Sequence, residues 1–175
     1  MRAERLSRGT MTLEQLLHLD SKTPTPESIC ALLAEYFHVR GTEVALLWIN
    51  GKTLKFLFPV ELRQAGTIPL SSSAIAARTA TTGNSEMFNN FVEVKHASVF
   101  EMVKLGDSPG DVQTIQKMMS VPMMSEGKVC GVIQISRKGF DVTSAGPDFT
   151  NEDLQRLELA ANSVGRFLAT TGSAG

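Results

Sequence analysis

The chain reads as one mixed α/β domain built around an antiparallel sheet, with helices at both ends. Three observations predict it: a strand-type apolar run ending in Asn50-Gly51, a second pair of strand-type runs meeting at Glu126-Gly127, and a strongly marked helix start at Phe149-Thr-Asn-Glu-Asp-Leu154. Hairpin turns join antiparallel neighbours, so each Gly-containing turn commits two strands to pairing. A length of 175 residues suits a single core.

From the N-terminus, Met11 to Asp20 reads as a short helix, with Thr12 as cap, Gln15 three residues on and Met11 placed to staple Leu16. Ser21 to Pro26 is a Pro-spaced linker. Behind the cap Thr25, Pro26 opens a helix running to about His38, in which Ile29, Leu32, Leu33, Tyr36 and Phe37 recur at three- and four-residue spacing and make one apolar face. The run Val44-Ala-Leu-Leu-Trp-Ile49 is too short for an ordinary helix and rich in strand formers, which predicts a central strand covered on both faces. Beyond the turn, Leu54, Phe56 and Phe58 alternate with Thr53, Lys55 and Leu57, and Pro59 ends the returning strand.

A short strand is expected over Thr67 to Leu70, then a helix through Ala74-Ile-Ala-Ala-Arg78 with serine caps from Ser71, Ser72 or Ser73 and a stop near Gly83. Asn84 to Asn90 reads as loop with room for a short strand, Phe91 to Lys104 as a helix, and Gly106 to Asp111 as a surface loop. Ser120 to Met124 and Lys128 to Arg137 form the second hairpin. The last helix combines the cap Thr150, the carboxylate of Asp153 and a Phe149 to Leu154 staple, followed by a stripe at Leu157, Ala161, Val164 and Leu168.

Composition excludes several functions. With a net charge of -1 and mixed charge signs, no basic face offers itself to nucleic acid. No stretch approaches the roughly 18 apolar residues of a membrane helix, and Met1 to Gly9 builds no signal-peptide core, so a cytoplasmic protein is expected. Cys30 and Cys130 both lie inside apolar runs, as buried free thiols rather than a disulfide. The chain has no P-loop and no Gly-x-Ser-x-Gly nucleophile elbow, and nothing in it predicts an enzyme.

Several strings in this order resemble the GAF domain family from about Pro26 to Leu168: Ser73-Ala-Ile-Ala-Ala-Arg-Thr-Ala-Thr-Thr-Gly83, Met119-Ser-Val-Pro-Met-Met124, and Gly127-Lys-Val-Cys-Gly-Val-Ile-Gln-Ile135 followed by the stapled helix at Phe149. The resemblance implies an α+β fold with a central antiparallel sheet of five to six strands. The N- and C-terminal helices would pack on one face, and short helices and loops would enclose a pocket on the other. It divides the chain into an extension over 1–22, the domain over 23–169 and a tail over 170–175. It also implies a small-molecule sensor signalling as a homodimer through its terminal helices, with a ligand-free dimerisation scaffold and an unrecognised small-molecule enzyme as alternatives. The cyclic-nucleotide-binding members carry Asn-Lys, then Phe with Asp-Glu four residues later. Here Ser136-Arg137 or Arg137-Lys138 is followed by Phe149, Asp153 and Leu154, so the Asn and the final Glu are missing.

Candidate ligand-binding residues are Trp48, Phe88, Asn89, Asn90, Phe91, His96, Phe100 and Gln134. Gln134 is the strongly polar side chain in the middle of an apolar strand and needs a partner, either a ligand or the protein itself. By alternation it shares a face with Cys130, Val132 and Ser136. Phe88-Asn-Asn-Phe91 sits where the family builds pocket wall and can stack and hydrogen-bond a planar ligand, or can be a loop anchored by two phenylalanines. Trp48 reads as core or as the floor of a pocket. His18, His38 and His96 share no metal-ligand spacing, and the identity of any cofactor is open.

Overall fold

Local chain chemistry fixes the ends of the helices. The computed structural model describes residues 24–91 and 114–171, so the helix expected over 11–20 and the helix and loop expected within 92–113 lie outside the described residues. Helix α1 spans Pro26–Phe37. It starts with a reciprocal box in which Ser28 N donates to Thr25 Oγ1 (3.2 Å) and Thr25 N donates to Ser28 Oγ (2.8 Å). It ends with His38 in the left-handed conformation. Helix α2, Ile75–Thr82, stops at left-handed Gly83 as expected, but its N-cap is Ala74. The serine contribution comes from one step further out, where Ser72 Oγ accepts from Ala74 N at 3.4 Å. Helix α3, Asn151–Thr171, opens with the anticipated pair: Thr150 N donates to Asp153 Oδ2 (2.9 Å) and Asp153 N to Thr150 Oγ1 (3.1 Å).

Among the described residues six strands form one antiparallel sheet: β1 Val44–Asn50, β2 Thr53–Phe58, β3 Thr67–Pro69, β4 Glu86–Phe88, β5 Thr114–Ser125 and β6 Lys128–Gly139, in the order β3-β2-β1-β6-β5-β4. The two hairpins supply β1–β2 and β5–β6, and the sheet is completed by pairing β1 with β6. The first turn is shifted by one residue from the reading of the sequence. Asn50 is still in the ladder opposite Thr53, and Gly51, at φ 62°, takes the first turn position. In the second turn both Glu126 (φ 52°) and Gly127 (φ 76°) are left-handed.

Strand alternation sorts the side chains into two cores. Val44, Leu46, Met119, Val121, Met123, Ile133 and Ile135 meet Ile29, Leu33 and Phe37 of α1 and Leu157, Ala161, Val164 and Leu168 of α3. Ala45, Leu47, Leu54, Phe56, Met118 and Val132 face the other way, against Ile75, Ala76 and Ala80 of α2 and against Phe91. Each large side chain so buried stabilises the fold by about 1.5 to 3 kcal/mol before chain entropy is subtracted.

Besides a shift in the β1–β2 pairing, where Leu57 is the extra residue and Phe58 joins it on the α1/α3 side, away from Leu54 and Phe56, two bulges in the β5–β6 pairing break the alternation. In β5 the register shifts between Ile115 and Lys117, and β5–β6 pairing shifts again between Met123, opposite Gly131, and Met124, opposite Val129. The second bulge leaves Cys130 as the extra residue and turns it toward the α1/α3 core, away from Val132 and Gln134. Simple alternation, which groups Cys130 with those residues, fails here.

Glycines mark the closest approaches. A Cβ at Gly131 would stand 2.3 Å from the Leu47 carbonyl oxygen, and one at Gly165 of α3 would stand 2.9 Å from that of Met124. Gly131→Ala is therefore expected to lower stability by about 3 kcal/mol. Gly127→Ala, which meets open space but keeps a left-handed φ, should cost only about 1 kcal/mol. Urea denaturation of both variants checks this, and equal losses would show that β1 and β6 are not held at this separation.

Candidate functional site

The sheet face under α2 carries three buried polar side chains that find one another. Gln134 of β6, Ser120 of β5 and Thr79 of α2 are all 1% exposed or less. Ser120 is the direct cross-strand neighbour of Gln134, and Ala45 flanks it on the other side. Gln134 Nε2 donates to Ser120 Oγ (3.2 Å), and Ser120 Oγ lies 2.7 Å from Thr79 Oγ1. Thr79 spends its own proton on the Ile75 carbonyl (3.0 Å), so the Ser120 hydroxyl is the donor toward Thr79. One chain of hydrogen bonds thus runs from the middle of the sheet to the backbone of α2. Its surroundings are small: Ala45, Ala76 and Ala80 belong to the same face.

Only the phenylalanines of the expected pocket-wall segment join the α2-side core. Phe88 packs against the α2-side core, and Phe91, 2% exposed, is buried in it; their rings meet edge to face at 6.1 Å. Asn89 points to neither core. Its Nδ2 donates to the Phe149 carbonyl (3.0 Å) and its Oδ1 accepts from Phe149 N (2.8 Å), so the amide brackets the residue that staples α3. Asn90 is exposed. Trp48 lies on the α1/α3 side of the sheet, opposite to Gln134. Gln134, Phe88 and Phe91 are brought to one face, Trp48 and Asn89 are not, and His96 and Phe100 lie outside the described residues.

A second polar group, missed from sequence, occupies the rim near the start of α3. Lys117 is buried at 3% exposure, and its Nζ reaches the Gly146 carbonyl (2.6 Å) and Asp148 Oδ1 (2.7 Å). Its cross-strand neighbour Arg137 donates from Nη2 to the Phe37 carbonyl (3.3 Å) and from Nη1 to that of His38 (3.5 Å), at the negative end of α1. The Arg137 guanidinium also lies over the Phe149 ring, 4.7 Å from its centre. Its Nε is buried with no hydrogen-bond partner among the described residues. The sequence signal was available, since a Lys and an Arg inside apolar strands demand partners.

The two cysteines are free and sit on the α1/α3 side. Burial raises the Cys30 thiol, helped by the nearby Glu27, and raises Cys130 to about 11. Among the described residues no group of three His, Cys, Asp or Glu side chains could hold a metal ion, and no helix is long and apolar enough to cross a membrane.

Two outcomes follow from these contacts. Ser120→Ala strands a buried Gln134 amide and should cost about 1 to 3 kcal/mol. Gln134→Leu leaves the Ser120 to Thr79 bond intact and should cost less, and the opposite order in chemical denaturation would show that the relay is misassigned. For Cys130, the thiolate fraction at pH 8 should be about a hundredfold below that of an ordinary thiol. Because the folded thiol titrates above the unfolded one, this stabilising difference is present below about pH 9 and is lost as pH rises toward about 11. Thiol-reagent kinetics and pH-dependent unfolding, each compared with Cys130→Ala, read both effects.

Known proteins share this architecture. The GAF domain from Acinetobacter phosphoenolpyruvate-protein phosphotransferase superposes with a TM-score of 0.62 at 13% identity, covering 99% of this chain and 92% of that one. Free methionine-R-sulfoxide reductase from Neisseria meningitidis, solved with its substrate, gives a TM-score of 0.62 at 16% identity, covering 93% and 87%. The GAF domain of a two-component sensor histidine kinase from Bacillus halodurans gives 0.52 at 15% identity, covering 74% and 82%. No curated protein matches the chain. The GAF domain model matches residues 27–168, so the chain belongs to the GAF domain family, a family of regulatory and sensing domains.

Proposed function

We propose that this GAF domain is a non-catalytic, cytoplasmic sensor that binds a small organic ligand on the α2 face of its sheet and signals as a homodimer through α1 and α3. The observation that carries the reading is the polar relay Gln134–Ser120–Thr79, set among the mainly apolar side chains of a layer that includes Phe88 and Phe91. Apolar walls with few, fixed polar groups are the composition of a small-molecule site. A ligand that offers Gln134 a new partner would act on α2 through the same bonds.

The chemistry of the face supports a binding role over an enzymatic one. The methionine-sulfoxide reductase relative shares the fold, yet both cysteines of this chain lie on the far side of the sheet with raised pKa, which leaves no thiol beside Gln134. Balanced charge supports neither nucleic acid nor an anionic membrane surface as a partner. The terminal-helix side supports the dimer: Leu32 and Tyr36 of α1 and Leu154 and Phe167 of α3 are only partly buried, and Leu159 is 68% exposed.

A specific observation favours a second reading, a ligand-free dimerisation scaffold. The relay closes on the protein's own groups, and Phe56, Phe91 and Met118 fill the layer around it.

Thermal shift against a small-molecule library, joined to sedimentation velocity and to native mass spectrometry of protein purified from its host, separates the two. A ligand at a hundred times its Kd stabilises by about 2.7 kcal/mol, a shift of about 5 to 10 °C, and Gln134→Leu should abolish it. A dimer that no compound shifts establishes the scaffold instead. A monomer removes the dimer from both readings.

A further inference from the structure

We infer that Asn89, Phe149 and Arg137 form a junction that couples the α2 face of the sheet to both terminal helices at once. Residues 88–91 belong to two structures simultaneously. Phe88 and Phe91 are packed in the α2-side core, while Asn89, between them, holds the backbone of Phe149 by two hydrogen bonds of 2.8 and 3.0 Å. Phe149, 2% exposed, immediately precedes Thr150, whose box with Asp153 opens α3.

Its ring is in turn covered by the guanidinium of Arg137, whose Nη atoms hold the last carbonyls of α1 at Phe37 and His38. Gly146 packs against the same side chain, and Lys117 grips Gly146 and Asp148 from beneath. The start of α3 and the end of α1 are thus fastened to one cation, and Phe149 beneath that cation is held to the wall of the α2 face through the Asn89 amide. Asn89 adjoins Phe88 and is separated from Phe91 by Asn90 alone, so a displacement of either phenylalanine pulls on Asn89 and on its two bonds to Phe149.

Contiguous contact alone does not establish coupling; a response carried between the ends does. The inference rests on the α2 face being the ligand face, yet its test uses no ligand, so an absent ligand and an absent junction give different results. Native-state hydrogen exchange is followed at Leu154, whose amide donates to the Thr150 carbonyl, and at Val39, whose amide donates to that of Ala34. Central β1 and β6 amides serve as the reference for whole-domain opening.

Phe91→Leu should raise exchange at both probes by about threefold to tenfold relative to the reference strands. In the Asn89→Ala background, adding Phe91→Leu should change either probe by less than about twofold. With Arg137→Met, Leu154 should still respond to Phe91→Leu while Val39 no longer does. If Phe91→Leu does not fold, Phe88→Leu replaces it. A response that is the same with and without Asn89, or no response at either helix, overturns the junction.

Discussion

Everything in this molecule is arranged around a pair of strands that has no solvent face. β1 and β6 run antiparallel at the centre of the sheet, with α1 and α3 against one side and α2 against the other. Their separation is set by Gly131, where even one methyl would collide with the Leu47 carbonyl. Once the centre is sealed on both sides, any polar side chain placed there must be answered by another within reach. Gln134 is answered by Ser120, and Glu43, immediately before β1 and 5% exposed, holds the amides of Arg40 (2.8 Å) and Lys138 (2.6 Å). The polar geometry of the domain follows from its burial.

What could be read from the sequence was whatever the chain decides locally. The Thr25 cap, the Thr150 box, the stop at Gly83 and the second hairpin appear where spacing placed them, and the first turn lies one residue further on, since each depends on contacts between residues at most a few positions apart. β5 proved longer than its apolar segment, because Gln116 and Lys117 disguise its first half. A bulge lets Gln116 bond Thr114 Oγ1 and the Gly139 carbonyl, and Lys117 is neutralised by a residue that lies in another loop.

The site was legible in its chemistry and illegible in its partners. A Gln inside an apolar strand announces that something must bond it, but Ser120 is 14 residues away and Thr79 another 41 from Ser120, so only the fold identifies them. Asn89 drew attention as a ligand amide and is bonded instead to a backbone 60 residues on. Trp48 was ambiguous because both faces of β1 are apolar, which leaves periodicity unable to say which core receives the ring. The placement of Cys130 depended on a bulge, a feature with no signature in apolar spacing.

The sheet also ends abruptly. Its outermost members, β3 and β4, are three residues each, against twelve for β5. β4 pairs only with Met118 to Ser120, and just past that contact β5 carries Pro122, which has no N–H to offer. Short margins and a proline give an approaching strand little to zip onto. Among the described residues an approaching chain finds little template for continuing the sheet, and the helices and loops offer contacts in which side chains rather than backbone decide who is recognised.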